Sequence, residues 1–174
     1  TLWTDQQVYD VGDTVTIYVE PPYDGTLDIT GPGYTEQVSL TGPATLQFTL
    51  PALVTGTYYI EYAFDGTVSR YPIDVRGYSV RITDFSLDEG EYGSGSPMHI
   101  ALEAQVSPAV NATVRCQIID FWKEVVDEFE FSVSLVAGEN DLTADWVFSS
   151  GSGGMHSIVC RIYAEVSGQT LMLA

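Results

Sequence analysis

The sequence predicts an all-β protein made of two tandem antiparallel β-sandwiches. Apolar and polar residues alternate in many short runs, which is the period of a half-buried strand. Sixteen glycines and eight prolines interrupt these runs along the 174 residues. No stretch has the apolar spacing of an amphipathic helix. Many short strands separated by Gly/Pro turns are typical of β-sandwiches.

The first half of the chain predicts seven short strands. Pro21 and Pro22 cannot donate to a strand ladder, so they end one strand. Asp65 and Gly66 form the strongest hairpin signal in this half and join its last two strands. The predicted strands cover residues 1–9, 15–19, 27–29, 38–40, 46–50, 58–64 and 68–75.

The second half predicts a similar series with one additional strand. Val80 and Ile82 begin it, followed by Phe85 and Leu87 and then by an acidic loop. An inserted hairpin strand is predicted within residues 121–136, where four alternate residues share one face: Phe129, Phe131, Val133 and Leu135. The other predicted strands cover residues 98–102, 114–118, 146–148, 158–162 and 170–173.

The two halves repeat one pattern. Residues 12–20 and 95–103 are both alternating runs that begin at a glycine, and they are 83 positions apart. Later in each half the offset is 98, which leaves 15 additional residues in the middle of the second half. The repeat predicts a first sandwich at residues 1–77 and a larger second sandwich, with the inserted strand, at residues 78–174.

The composition excludes some functions. Twenty-four acidic residues against six basic ones give a net charge of −18, so no nucleic-acid partner is expected. Such acidity suits high ionic strength or a cation-rich surface, because both reduce self-repulsion. There is no apolar run long enough for a transmembrane segment. The chain starts at Thr1 and has no signal peptide, so we expect it to be a mature or excised segment.

A family resemblance rests on residues 8–19 and on the later Gly56-Thr57-Tyr58. The first half resembles macroglobulin-type and prokaryotic surface Ig-like domains. The second half is similar to CARDB-type adhesion modules, through its glycine-initiated strand and the Asp145-Trp146 ending followed by Gly154. The resemblance implies two Ig-like or fibronectin type III-like sandwiches in an extracellular, cell-surface protein of an archaeon or bacterium. It implies no catalytic residues.

Cys116 and Cys160 lie in the inward phase of two strands that would be neighbours in one sheet. They predict a disulfide that closes 44 residues, and two buried free thiols are the alternative. His99 and His156 with these cysteines match no zinc spacing, so zinc is not expected. A structural hydrogen bond is expected of His156, which takes the repeat position of Tyr58.

Two further sites are hypotheses. Asp84, Asp88, Glu89 and Glu91 cluster where the halves meet and predict a calcium site, with a solvated acidic loop as the alternative. Asn111 begins the sequon Asn-Ala-Thr in a predicted turn, which is typical of N-glycosylation in exported chains.

No catalytic motif is recognisable. Ser152 lies in a Gly-rich segment without the spacing of a nucleophile elbow, and a strand follows it where the elbow needs a helix. Most of the eleven tyrosines fall on strands, where packing explains them better than sugar stacking.

The sequence therefore predicts a non-enzymatic structural module of a surface layer, sheath or filament. The alternative is a glycan- or protein-binding adhesion module of a larger surface or secreted protein. Self-association is expected at edge strands, in residues 1–9 and at Leu171, Met172 and Leu173. The last strand is expected either to continue in the native polypeptide or to pair with a neighbour.

Overall fold

The computed structural model describes residues 1–93, 95–148 and 153–174. Over these residues the chain forms fifteen β-strands and no helix, which confirms the predicted all-β fold. Within the same residues there is accordingly no helix of the length and apolarity that crossing a membrane requires. The chain divides into two compact units, Thr1–Gly77 and Tyr78–Ala174.

The first unit packs a three-stranded sheet against a five-stranded sheet. Eight strands are described: β1 (Leu2–Thr4), β2 (Val8–Asp10), β3 (Thr14–Val19), β4 (Gly25–Gly31), β5 (Tyr34–Leu40), β6 (Ala44–Thr49), β7 (Gly56–Phe64) and β8 (Thr67–Arg76). The sheets have the orders β1-β3-β6 and β2-β8-β7-β4-β5. All pairs are antiparallel except β2 with β8. The core between the sheets includes Val15, Ile17, Ile29, Ile60 and Ile73.

The prediction of one strand at residues 1–9 is wrong. The structure splits this segment into β1 and β2, which belong to different sheets. The chain crosses between the sheets at Asp5, whose carboxylate accepts a hydrogen bond from the backbone N–H of Thr16 at 3.0 Å. The crossing lets both Leu2 and Tyr9 enter the core, which a single straight strand could not do.

Tyr58 makes the hydrogen bond of a tyrosine corner. Its hydroxyl donates to the carbonyl oxygen of Val54 at 2.7 Å. Burial raises the pKa of this hydroxyl, so it remains a donor well into the alkaline range. Tyr59 points the other way and is 51% exposed, as the alternation of the strand predicts.

The second unit packs a three-stranded sheet against a four-stranded sheet. Seven strands are described: β9 (Ser79–Leu87), β10 (Pro97–Ser107), β11 (Val110–Ile119), β12 (Val125–Leu135), β13 (Gly138–Val147), β14 (Ser157–Val166) and β15 (Gln169–Met172). The sheets have the orders β13-β10-β9 and β12-β11-β14-β15. β12 lies at the sheet edge beside β11, as β5 lies beside β4 in the first unit, so the prediction of an additional inserted strand is wrong. The corresponding strands are longer instead: β11 and β12 have 10 and 11 residues, where β4 and β5 have 7 each.

A β-bulge explains an irregular pattern in β9. Ile82 lies opposite Ala104 and Asp84 lies opposite Glu103, so Thr83 has no residue opposite it. A bulge reverses the alternation of the residues beyond it. The sequence pattern therefore predicts two short segments, at residues 80–82 and 85–87, whereas the structure has one continuous strand.

Trp146 of β13 is a buried residue in the core of the second unit. Its ring stacks on Phe129 of β12 with 5.5 Å between the ring centroids, and its indole N–H donates to Asp127 at 3.1 Å. Asn140 holds the connection from β12 to β13. Its side chain accepts from the N–H of Val136 at 2.9 Å and donates to the carbonyls of Val136 and Gly138.

The two units share strand register. Val15 of β3 lies opposite Phe48 of β6, and Met98 of β10 lies opposite Trp146 of β13. These pairs are related by the offsets of 83 and 98 that appear in the sequence. Corresponding strands can therefore be compared position by position.

Candidate functional site

The second unit has an open cleft at one end of its core. Its volume is about 700 Å³. The walls are polar and apolar in similar measure, and they come from β9, the loop after β9, β10, β11, the end of β13 and the residues around β14. They include Phe85, Leu87, Tyr92, Met98, Ile118, Phe148, Met155, His156 and Ile158.

Tyr92 at the rim of the cleft is held in place by Asp88. The Tyr92 hydroxyl donates to the carboxylate of Asp88 and accepts a hydrogen bond from the N–H of Glu89 at 2.9 Å. The same carboxylate oxygen accepts from the N–H of His99 at 3.0 Å. The hydrogen bonds, first that from Tyr92, lower the pKa of Asp88. The loop is thus fastened to β10 by one carboxylate.

The first unit contains the same arrangement at the same offset. The Tyr9 hydroxyl donates to Asp5 at 2.6 Å and accepts from the N–H of Gln6 at 3.0 Å, while Asp5 also accepts from Thr16. Each of these residues is 83 positions before its counterpart in the second unit. Tyr9 is fully buried, whereas Tyr92 is only half-buried.

The difference in burial between Tyr9 and Tyr92 comes from strand β8. In the first unit Ile73 and Val75 of β8 lie opposite Tyr58 and Gly56 of β7, and both are almost completely buried. β8 also pairs with β2, which contains Tyr9. In the second unit β15 corresponds to β8 and pairs with β14 at residues 163–166, with further backbone hydrogen bonds between Ile162 and residues 173–174. The cleft lies beyond that point.

His156 is at the repeat position of Tyr58 and lines the cleft. Its Nδ1 is 3.0 Å from the carbonyl oxygen of Gly154, which agrees with the structural hydrogen bond expected of it. The ring lies edge-on to Phe148, with 5.6 Å between the centroids. Its Nε2 is buried and has no hydrogen-bond partner among the residues that the structure describes.

A second, polar surface lies on the outer face of the sheet β12-β11-β14-β15. Its depression is about 630 Å³ and is lined by hydroxyl, amide and charged side chains. Arg115 lies over the ring of Tyr163 at 5.4 Å and pairs with Glu130. The hydrogen bond with Glu130 is the main cause that raises the pKa of Arg115. This surface therefore combines an aromatic ring with hydrogen-bonding groups.

The predicted disulfide is formed. Cys116 on β11 and Cys160 on β14 are directly opposite in the sheet, with 4.0 Å between their Cα atoms. Both sulfur atoms are therefore engaged, and neither is available as a zinc ligand. His99 lies on the outer face of β10, where its Nδ1 is 2.7 Å from Asp145.

The calcium hypothesis remains a prediction. Asp84 lies on β9, while Asp88, Glu89 and Glu91 follow in the loop. Among the residues that the structure describes, no group of three or more acidic, His or Cys side chains is arranged to hold a metal ion.

The remaining predicted sites differ in outcome. Asn111 was expected in a turn, but it is the second residue of β11 and its side chain is exposed on the polar face, because β11 begins directly after the short turn at Pro108. Ser152 lies outside the described residues. At the predicted assembly edge, Met172 is 59% exposed on β15, whereas Leu173 is 6% exposed and bonds to Ile162.

Sequence reasoning missed the Asp88–Tyr92 pair and the cleft beside it. The signal was available, since Asp5 and Tyr9 recur as Asp88 and Tyr92 at the offset that relates the two alternating runs. The acidic loop was interpreted by its charge alone, and one of its carboxylates has a structural role.

No protein-family model matches the sequence, and no curated protein matches it. Solved structures of low similarity were found. A DUF4785 family protein from Legionella pneumophila has a TM-score of 0.45 and 13% identity, covering 99% of this chain and 54% of that chain. Trypsin-activated alpha-2-macroglobulin from Escherichia coli has a TM-score of 0.33 and 10% identity, covering 98% and 15%.

The BSP domain of a biofilm-associated protein has a TM-score of 0.29 and 14% identity, covering 96% of this chain and 27% of that one. The chain thus spans about half the length of the DUF4785 protein and less of the other two.

Proposed function

We propose that the chain is a non-enzymatic structural module of a cell-surface layer, sheath or filament outside the cell. The observation that carries the proposal is that polar side chains form hydrogen bonds within the fold itself. Asp5 and Asp88 fasten loops to strands, and Tyr58 and Asn140 close turns. Polar groups that are hydrogen-bonded in this way stabilise the fold.

The disulfide supports the extracellular location. Structural disulfides form and persist in oxidising compartments, and the bond between Cys116 and Cys160 lies in the core of the second unit. The proposal also includes the resemblance of the two halves to macroglobulin-type and CARDB-type modules, which implies a prokaryotic cell-surface protein.

The acidity of the chain determines the conditions for assembly. A net charge of −18 makes identical copies repel each other at low ionic strength. Salt screens this repulsion, and calcium held by carboxylates such as Asp84 and Glu91 would neutralise it locally. Association is therefore expected to increase with salt or calcium.

The test is the molar mass in solution, measured by light scattering across salt and calcium series, with electron microscopy of the same samples. The expected result is ordered assemblies that appear as the repulsion is screened. Met172→Lys should weaken them, because a lysine on an edge strand opposes strand pairing. Tyr59→Lys on the central strand β7 adds the same charge away from an edge, so it should leave the assemblies unchanged. A monomer under all conditions overturns the proposal.

A second candidate function is binding of a glycan. The polar surface around Arg115 and Tyr163 favours it, because an aromatic ring beside hydrogen-bonding groups suits a sugar. A glycan array tests it directly, with Tyr163→Ala as the variant that should lose the signal. An array without hits counts against this function.

A further inference from the structure

We propose that the polar surface on the sheet β12-β11-β14-β15 is the binding surface for a glycan that this chain carries on its own Asn111. The first sugar rings lie along the sheet against Tyr163 instead of extending into solvent. The inference rests on the extracellular location in the proposed function, because sequons are glycosylated in exported chains. It deepens that function by naming what occupies the surface.

The attachment point lies within the polar surface itself. Asn111 is exposed on β11 and lines the depression of about 630 Å³. Alternate residues of a strand face the same side, so Thr113, which completes the sequon, lies on the same face as Asn111. A glycan on Asn111 therefore starts inside the depression.

The strand beside β11 surrounds this starting point with small hydroxyl side chains. Ser134 of β12 lies opposite Asn111, and Ser132 lies opposite Thr113. Both serines are exposed and line the depression. A serine hydroxyl can donate and accept hydrogen bonds, as the hydroxyls of a sugar do, and its small size leaves space above the sheet.

The ring of Tyr163 lies on the other side of β11, within reach of the first sugars. Tyr163 of β14 lies opposite Thr113, which lies between Asn111 and Arg115 along β11. Two residues of a strand span about 7 Å, so a short glycan on Asn111 can reach the level of the ring. Arg115 lies over the ring at 5.4 Å and pairs with Glu130, which holds both side chains in place. An aromatic ring held in this way offers an apolar surface to the C–H face of a sugar.

The charges around the polar surface favour neutral sugars. Glu165 of β14 lines the depression and forms no ion pair with any residue that the structure describes. The charge of Arg115 is already compensated by Glu130. A carboxylated or sulfated sugar would be repelled by Glu165 in a chain of net charge −18. The structure therefore favours a glycan whose first sugars are uncharged.

Covalent attachment allows this surface to be filled without a high affinity of its own. A short flexible link keeps a tethered group at an effective concentration on the order of millimolar. A free sugar at a lower concentration cannot displace the tethered one. The surface is therefore open to free sugars only when Asn111 carries none.

The test is nuclear magnetic resonance of the chain, secreted by a host that attaches N-glycans, with the sugars labelled with carbon-13. Protons above an aromatic ring shift upfield, so resonances of the first sugars should lie upfield in the folded chain and move downfield in urea. Tyr163→Leu keeps a large apolar side chain but has no ring, and it should abolish this shift. Sugar resonances at the same positions in the folded and unfolded chain overturn the inference, as does a secreted chain without a glycan.

The matched control for this variant is Tyr59→Leu. Arg70 lies over the ring of Tyr59 at 5.9 Å, which repeats the pair of Arg115 with Tyr163 on the first unit. Tyr59→Leu should therefore leave the sugar resonances where they are. A shift that persists in Tyr163→Leu, or one that is lost equally in both variants, overturns the placement of the glycan against Tyr163.

Asn111→Gln separates this inference from binding of a free glycan. The probe is the saccharide released from the wild-type chain, added at millimolar concentration to the variant and to the glycosylated chain. Binding by the variant, at least tenfold weaker in the glycosylated chain, supports the inference. Equal binding by both forms overturns it and leaves the glycan-binding function standing. Binding by neither form, with the upfield shift present, counts against free glycan binding and supports an occupant that is held by its attachment.

Discussion

Tyr9 donates its hydroxyl hydrogen to the carboxylate of Asp5 at 2.6 Å, and this pair fastens the start of the chain to β3. The Asp5 oxygen also accepts from the N–H of Thr16, so one carboxylate joins two segments that belong to different sheets. The second unit repeats the pair with Tyr92 and Asp88. In the first unit the pair links the two sheets, whereas in the second unit it holds the loop after β9 to β10.

We expect Asp5→Asn to destabilise the chain at neutral pH and less so in acid. Burial alone would raise the pKa of Asp5, but the hydrogen bonds from Tyr9 and Thr16 outweigh it and lower the pKa. A lowered folded-state pKa contributes stability that is present above the unfolded value near 3.8 and is lost as the pH falls through the folded value. Urea unfolding at pH 7 and near pH 3 measures the difference in stability between the wild type and the variant.

The control for this prediction is Asp24→Asn, an exposed residue in a turn. Its unfolding midpoint should stay close to that of the wild type at both pH values. A difference between wild type and Asp5→Asn that does not shrink in acid would contradict the charge-dependent role of Asp5.

We expect Tyr58→Phe to lower the free energy of unfolding by about 1 kcal/mol. The variant keeps the ring but leaves the carbonyl of Val54 without the hydroxyl that donates to it. Tyr59→Phe removes the hydroxyl of a neighbouring tyrosine that is 51% exposed, and it should be neutral. Chemical denaturation distinguishes the two, and equal effects would show that the corner contributes nothing.

Loss of the disulfide should destabilise the second unit by up to about 4 kcal/mol. The bond closes a loop of 44 residues, and in the chain-entropy model this restricts the unfolded chain. The variant with Cys116→Ala and Cys160→Ala should unfold at lower urea than the oxidised wild type. A reductant should lower the midpoint of the wild type and leave the variant unaffected; a wild type insensitive to reduction would contradict the prediction.

Asn140→Ala should cost about 1–3 kcal/mol, because a side chain that is only 8% exposed loses its three hydrogen bonds to the backbone. Asn140→Asp keeps the acceptor for the N–H of Val136 and loses both donors, so at least part of the loss should remain. Asp141→Ala changes the exposed neighbour and serves as the control. Differential scanning calorimetry of the three variants checks the order.

Asn111 is expected to carry a glycan when the chain is secreted by a host with N-glycosylation. The side chain is exposed on the polar face of β11, and the hydroxyl residue Thr113 completes the sequon. Intact-mass spectrometry should show a glycan mass that Asn111→Gln removes. A secreted chain of unmodified mass would contradict the prediction.

Much of the fold could be predicted because strands leave a local signal. Val15, Ile17 and Val19 alternate with polar neighbours, and all three are buried in the structure. The disulfide was predictable for the same reason, since Cys116 and Cys160 share the inward phase of their strands. The split of residues 1–9 was not, because the choice between two sheets depends on Thr16, which is distant in sequence.

The sequence by itself determined the all-β architecture and the repeated pattern, because both depend on the alternation of neighbouring residues. It favoured a disulfide between Cys116 and Cys160, and the pairing of β11 with β14 decided it. Tertiary structure alone decided that Asp88 holds Tyr92 and that Asn111 lies on a strand. The physical reason is that hydrogen bonds and core closure join residues that only the packing of two sheets brings together.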